Sequence, residues 1–218
     1  MKALALLFTL ALQVPSVPYI RVAPPPPPSV PEARASLLGL RIIDVRGDGA
    51  YLLGSACPIG AFAAYTALHV IDAAKGQLVA LPTHGYQGDA RTSSRLRVIW
   101  KDEKKDLALV VPEDSEQAFL YWYQVVPVPK MGAPVAGTLM LPTEGNLAVP
   151  VFGTYYGPGD GWHWTSLNIG PGSSGSCALD AEGRAWGIMS QTASWGTDDM
   201  GPANRPGAAV AVEIPKKP

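Results

Sequence analysis

Three short stretches carry residue types that do chemistry together. The first is Gly172-Ser173-Ser174-Gly175-Ser176. Glycines on both sides of a serine pair free the backbone for a sharp turn and let amide N–H groups converge on one space. An acyl-transfer nucleophile needs that setting: an exposed hydroxyl with donors beside the carbonyl oxygen that becomes negative. The second stretch, Thr66-Ala67-Leu68-His69-Val70, puts an imidazole at the end of an apolar strand. The third, Asp106-Leu107-Ala108-Leu109-Val110-Val111, opens an apolar strand with a carboxylate. Alone, each has an ordinary structural use: a Gly/Ser loop, a core histidine, an aspartate bonding its own turn. In the order His, Asp, Ser they make a set for nucleophilic catalysis, in which the imidazole strips the hydroxyl proton and the carboxylate orients the imidazole.

The elements that must position these residues read as short strands. In a chain of 218 residues, 47% hydrophobic and 16% charged, 23 glycines and 22 prolines are spread throughout and cut the sequence into strand-length apolar runs. The first half offers Leu38 to Val45, Ala50 to Cys57, Phe62 to Thr66, Gln77 to Leu81, Leu96 to Trp100 and Asp106 to Val111, with a brief helical turn after His69 through Ala74. After the polar stretch Pro112 to Gln117 the style repeats. The runs are Tyr121 to Val128, Val135 to Leu141, Leu147 to Thr154, Trp162 to Asn168, Cys177 to Asp180, Ala185 to Gln191 and Ala208 to Ile214. About six strands on each side of a linker predict an all-β chain of two packed barrels or sandwiches, and no sequence repeat relates the halves.

The N-terminus differs in kind. Met1-Lys2, the apolar run Ala3 to Leu12 and Val14-Pro15-Ser16 predict a secretory signal peptide over residues 1–16, or an uncleaved hydrophobic N-terminus that is short for a membrane span. Residues 17–37, with five prolines at 24–28, form a polyproline II linker. The expected location is therefore secreted or periplasmic, with membrane contact only through an uncleaved N-terminus. A formal charge of −1 argues against nucleic acid as a partner. Two cysteines, Cys57 and Cys177, without a Cys-x-x-Cys or His/Cys cluster, predict no metal site.

Over roughly Leu38 to Pro215 the chain resembles the trypsin-like serine proteases of the chymotrypsin fold, in the style of compact HtrA-like bacterial and small viral or phage members. The family's Thr-Ala-Ala-His segment is matched by Thr66-Ala67-Leu68-His69, with Leu68 the departure. Its Asp-hydrophobic-Ala-Leu strand is matched by Asp106 to Leu109, and its Gly-x-Ser-Gly turn by Gly172 to Gly175, with Ser176 where a second glycine is usual. Gly187-Ile188-Met189-Ser190 resembles the strand beside the specificity pocket. Spacings of 37 residues (106 − 69) and 68 (174 − 106) imply trimmed loops.

The resemblance implies two six-stranded antiparallel barrels with the active site in the cleft between them. Barrel one covers about residues 38–111, a linker 112–120 and barrel two about 121–215. It implies a serine endopeptidase acting on extended polypeptide without a cofactor. Ser174 is the nucleophile, His69 the general base, Asp106 its orienting partner, and the amides of Gly172 and Ser174 the oxyanion hole. Asn168, Ser190, Gln191, Thr192 and Ala211 (or Ala209) are expected to bind substrate, and Asn168 in place of an acidic residue argues against cleavage after Lys or Arg. Ser173 ranks below Ser174 as nucleophile for want of a following glycine. Where zymogens carry an aspartate, Ser173 also argues against activation by pairing with a new N-terminus. Asp102 lies in a solvated charge run and ranks below Asp106, while His84 and His163 are given no chemistry in surface-like settings. The stretches holding Cys57 and Cys177 come near each other in this fold, which leaves a disulfide or two free buried cysteines. Two rival functions remain: a protease-like binding module with a misaligned triad, and an esterase using the same groups.

Overall fold

The computed structural model describes residues 39–83, 93–114, 118–119, 121–141, 147–159, 161–192 and 209–215. The expected signal peptide and linker, and His84, lie outside them. The strands of the first half are β1 (Leu40–Arg46), β2 (Gly49–Gly60), β3 (Ala63–Ala67), β4 (Gln77–Pro82), β5 (Ser94–Asp102) and β6 (Leu107–Pro112). Those of the second half are β7 (Pro134–Leu141), β8 (Leu147–Gly159), β9 (Trp162–Thr165), β10 (Cys177–Leu179), β11 (Ala185–Thr192) and β12 (Ala209–Glu213). Each set closes into an antiparallel barrel, in the orders β1-β2-β3-β6-β5-β4 and β7-β8-β9-β12-β11-β10. The connectivity is thus the same in both barrels, although their sequences share no repeat.

Alternation decides what each face buries. In β6, Ala108 and Val110 fill the first barrel. Leu107 and Leu109 face the other way, onto Cys177, Leu179, Ile188 and Val212 of the second. Both faces are dry, so the sequence reads as one apolar run instead of alternating. The exposed β5 shows the alternation plainly, with Ser94 and Leu96 buried and Arg95 and Arg97 out. A separate core of Val135, Tyr155, Leu167, Trp186, Met189 and Ala211 fills the second barrel. Between the barrels Cys57 and Cys177 are joined in a disulfide with Cα atoms 4.9 Å apart.

Three local expectations need correcting. Tyr121 to Val128 is not a strand: it makes an isolated bridge, Val125 to Ala185, because Pro127 and Pro129 offer no N–H to extend a ladder. His69 does not end β3; it is the second residue of a short helix, α1 (Leu68–Asp72). Asp106 does not open β6 but precedes it, in the left-handed conformation with φ 49°.

Candidate active site

The placement of Asp106 explains the geometry around it. A turn of 3-10 helix, Glu103–Lys105, ends on Asp106, and Asp is among the residues that tolerate this backbone region. The first amides of a helix lack internal partners, and Asp106, just before β6, supplies them for α1. Its carbonyl accepts from the Leu68 N–H at 3.0 Å, and its Oδ1 from the His69 N–H at 2.9 Å. The imidazole is thereby pinned at its own backbone before its side chain is used. Oδ2 then lies 2.7 Å from His69 Nδ1, a bond that places the proton on Nδ1 and leaves Nε2 bare to act as a base.

Oδ2 accepts a second bond from the hydroxyl of Ser190 on β11. Burial alone pushes the Asp106 carboxyl up; the bonds from the His69 ring, the Ser190 hydroxyl and the His69 amide together hold it below the usual carboxylate range. The Asp106 hydrogen bond raises the His69 imidazole above its ordinary 6.5, against the opposing effect of partial burial.

Ser174 comes from the turn between β9 and β10. Its hydroxyl donates to the carbonyl of Ser190 at 3.0 Å and not to the imidazole. Ser190 therefore links the three residues, its hydroxyl on Asp106 and its carbonyl under Ser174. Gly172 at φ +86° and Gly175 at φ +88° bend this turn through a region that costs other residues strain. The bend leaves the N–H groups of Gly172 and Ser174 without an acceptor among the described residues. Ser173 points inward, wholly buried, and its Oγ accepts from the Met140 N–H at 3.0 Å. It anchors the turn and presents no hydroxyl to solvent.

The remaining candidates scatter. Asn168 is exposed. Ser190, expected to contact substrate, has its side chain turned inward onto Asp106 and is buried, leaving its main chain as the part that faces Ser174. Gln191 and Thr192 end β11, in register with Val210 and Ala209. Ala211 is buried in the core of the second barrel, paired with Met189 and His163. Asp102 caps the 3-10 turn by accepting from the Lys105 N–H at 3.2 Å. His163 is not surface-like. It is half-buried, its Nδ1 2.7 Å from the Tyr155 hydroxyl and its ring against Trp186, and burial holds its pKa below the ordinary value.

Sequence reasoning missed one residue altogether. Ser55 on β2 donates its N–H to the Ser174 carbonyl at 2.7 Å and its hydroxyl to the Gly172 carbonyl at 2.7 Å. The only trace in the sequence is the pair Gly54-Ser55. A Cβ on Gly54 would lie 2.8 Å from the Ser174 carbonyl oxygen, so the approach needs a residue without one.

No protein-family model and no curated protein matches the sequence. Solved structures do match. The chain has the fold of the trypsin-like serine proteases, two closed six-stranded barrels with this strand order. It is similar to the serine endoprotease from Yersinia pestis, with TM-score 0.63 and 19% identity over 84% of this chain and 60% of that one. It is likewise similar to the HtrA-type protease AlgW with decapeptide, with TM-score 0.63 and 16% identity over 83% of this chain and 62% of that one. The chain spans about three-fifths of the length of the proteases it matches.

Proposed function

We propose that this chain is a serine endopeptidase that cleaves extended polypeptide through an acyl-enzyme on Ser174. The observation that carries the proposal is the circuit through Asp106. One carboxylate oxygen takes both His69 Nδ1 and the Ser190 hydroxyl, while the Ser190 carbonyl holds Ser174. To react, the Ser174 hydroxyl leaves that carbonyl for His69 Nε2. His69 takes the hydroxyl proton as Oγ bonds to the scissile carbonyl carbon, then returns it to the leaving amine. Asp106 keeps the tautomer and stabilises the imidazolium. The free amides of Gly172 and Ser174 receive the oxyanion, each such donor contributing on the order of 100- to 1000-fold in turnover. An extended peptide adds as a strand along the main chain of β11; one of the similar proteases is a structure with decapeptide. Hydrolysis of small esters would use the same groups. Export of the chain through its N-terminal apolar run fits the disulfide.

The resting bond from Ser174 to Ser190, made in place of one to His69, favours a second reading, a binding module on a protease fold. A peptidyl phosphonate that reacts only with an activated serine separates the two. Labelling of Ser174 that disappears in both Ser174→Ala and His69→Ala supports the peptidase. Bound peptide with no labelling supports the binding module.

A further inference from the structure

Given the peptidase activity proposed above, we propose that Ser55, in the first barrel, is a positioning residue that sets the oxyanion-binding amides of the second. Ser55 is 1% exposed and makes three bonds. Its carbonyl accepts from Thr66 Oγ1 at 2.7 Å, which fixes it within its own barrel. Its N–H and its hydroxyl reach across to the carbonyls of Ser174 and Gly172, each at 2.7 Å.

Peptide planarity turns these contacts into control of the donors. The Gly172–Ser173 plane is held at one end by the Ser55 hydroxyl and at the other by Ser173 N–H on the Gly170 carbonyl at 3.1 Å. The Ser174–Gly175 plane is held by the Ser55 N–H and by Gly175 N–H on the Met189 carbonyl at 2.6 Å. Between them, the Ser173 carbonyl accepts from Ser176 N–H at 3.0 Å, so the Ser174 N–H in that plane has a fixed direction. The Gly172 N–H lies in the preceding Pro171–Gly172 plane, joined to the first at the Gly172 Cα, and shifts when the first plane tilts. Of the bonds holding these planes, that of the Ser55 hydroxyl is the one side-chain bond that a substitution removes without touching the turn. Without it the Gly172–Ser173 plane is held only by the Ser173 N–H on the Gly170 carbonyl and tilts about that bond. The Gly172 carbonyl, an acceptor, then moves toward the space where the substrate oxygen becomes negative. Gly175 shows how tight the junction is: a Cβ there would lie 2.0 Å from the Ser55 carbonyl oxygen.

The test is Ser55→Ala in the full chain, with Ser55→Thr as the variant that keeps a hydroxyl. Ser55→Ala should lower kcat about tenfold or more and leave KM within about twofold, because the oxyanion forms only in the transition state. Affinity for a peptide boronate, which forms a tetrahedral adduct on Ser174, should fall in step with kcat. Affinity for the uncleaved peptide, measured in the Ser174→Ala background with and without Ser55→Ala, should not change. Ser55→Thr should recover most of kcat. Should Ser55→Ala not fold, Ser55→Cys, a close fit in volume with a weak donor, should show the same split. Unchanged kcat in Ser55→Ala, an equal loss of peptide affinity, or no recovery in Ser55→Thr overturns the role of Ser55 while leaving the peptidase intact. A native chain that neither cleaves peptide nor binds boronate overturns the peptidase itself, and this role with it.

Discussion

The bond between Cys57 and Cys177 ties the two barrels together beside the candidate nucleophile, and its removal has a calculable effect. The cysteines are separated by 120 residues. Closing a loop of that length removes about 16 cal/mol/K from the unfolded chain, or about 5 kcal/mol at 25 °C. In a chain of this size that is a loss of about 10–20 °C in Tm. Both cysteines are buried in the core shared by the barrels, so substitution is a cleaner perturbation than reductant. Thermal unfolding of Cys57→Ala/Cys177→Ala beside the native chain, under non-reducing conditions, should show that loss. Peptide hydrolysis should fall at temperatures well below the new midpoint, because Cys177 begins the strand that leaves the Ser174 turn. A shift under about 3 °C would show that the link does not constrain the unfolded chain.

The site yields further expectations. Asp106→Asn should lower kcat on the order of 10⁴-fold by releasing the imidazole tautomer, read from initial rates with the fold checked by circular dichroism. Catalysis needs neutral His69, and its pKa is raised, so kcat/KM should climb with pH through a midpoint above 6.5. Replacing Asp106 by Asn should move any residual midpoint lower. The stability linked to His69 runs in the opposite sense, present at low pH and lost as pH rises through the raised pKa. Gly175→Ala adds a Cβ 2.0 Å from the Ser55 carbonyl oxygen at φ +88°, and should lose about 3 kcal/mol or more in urea unfolding. Ser173→Ala leaves the buried Met140 N–H unsatisfied and should cost about 1–3 kcal/mol while Ser174 still takes phosphonate. Ser174→Ala should do the reverse, keeping stability and losing the label.

Much of this architecture is legible in the chain because it rests on local chemistry. Strand-length apolar runs cut by Gly and Pro locate the twelve strands of the described residues, β9 within a longer run, Trp162 to Asn168. The glycines around Ser174 mark a turn that needs positive φ. The failures share a cause: they depend on contacts between distant segments. Tyr121 to Val128 has strand composition, but both barrels close without it, and Pro127 and Pro129 offer no N–H for a ladder. His163 looks polar and exposed beside two tryptophans, until β8, β9 and β11 bring Tyr155 and Trp186 around it. Ser190 is expected to pair with the substrate backbone through its main chain, and nothing local shows that its hydroxyl also meets a carboxylate 84 positions earlier. Ser55 leaves only the pair Gly54-Ser55 as a local trace, since its partners Gly172 and Ser174 sit in the other barrel.

If the Ser174 hydroxyl turns onto His69 and attacks a carbonyl, an acylation burst follows. Mixed with excess peptidyl p-nitrophenyl ester, the chain should release p-nitrophenol rapidly in an amount equal to its own concentration. Intact mass should show one acyl group, and fragmentation should place it on Ser174. No burst, or an acyl group on Ser173 or any other residue, would contradict the account.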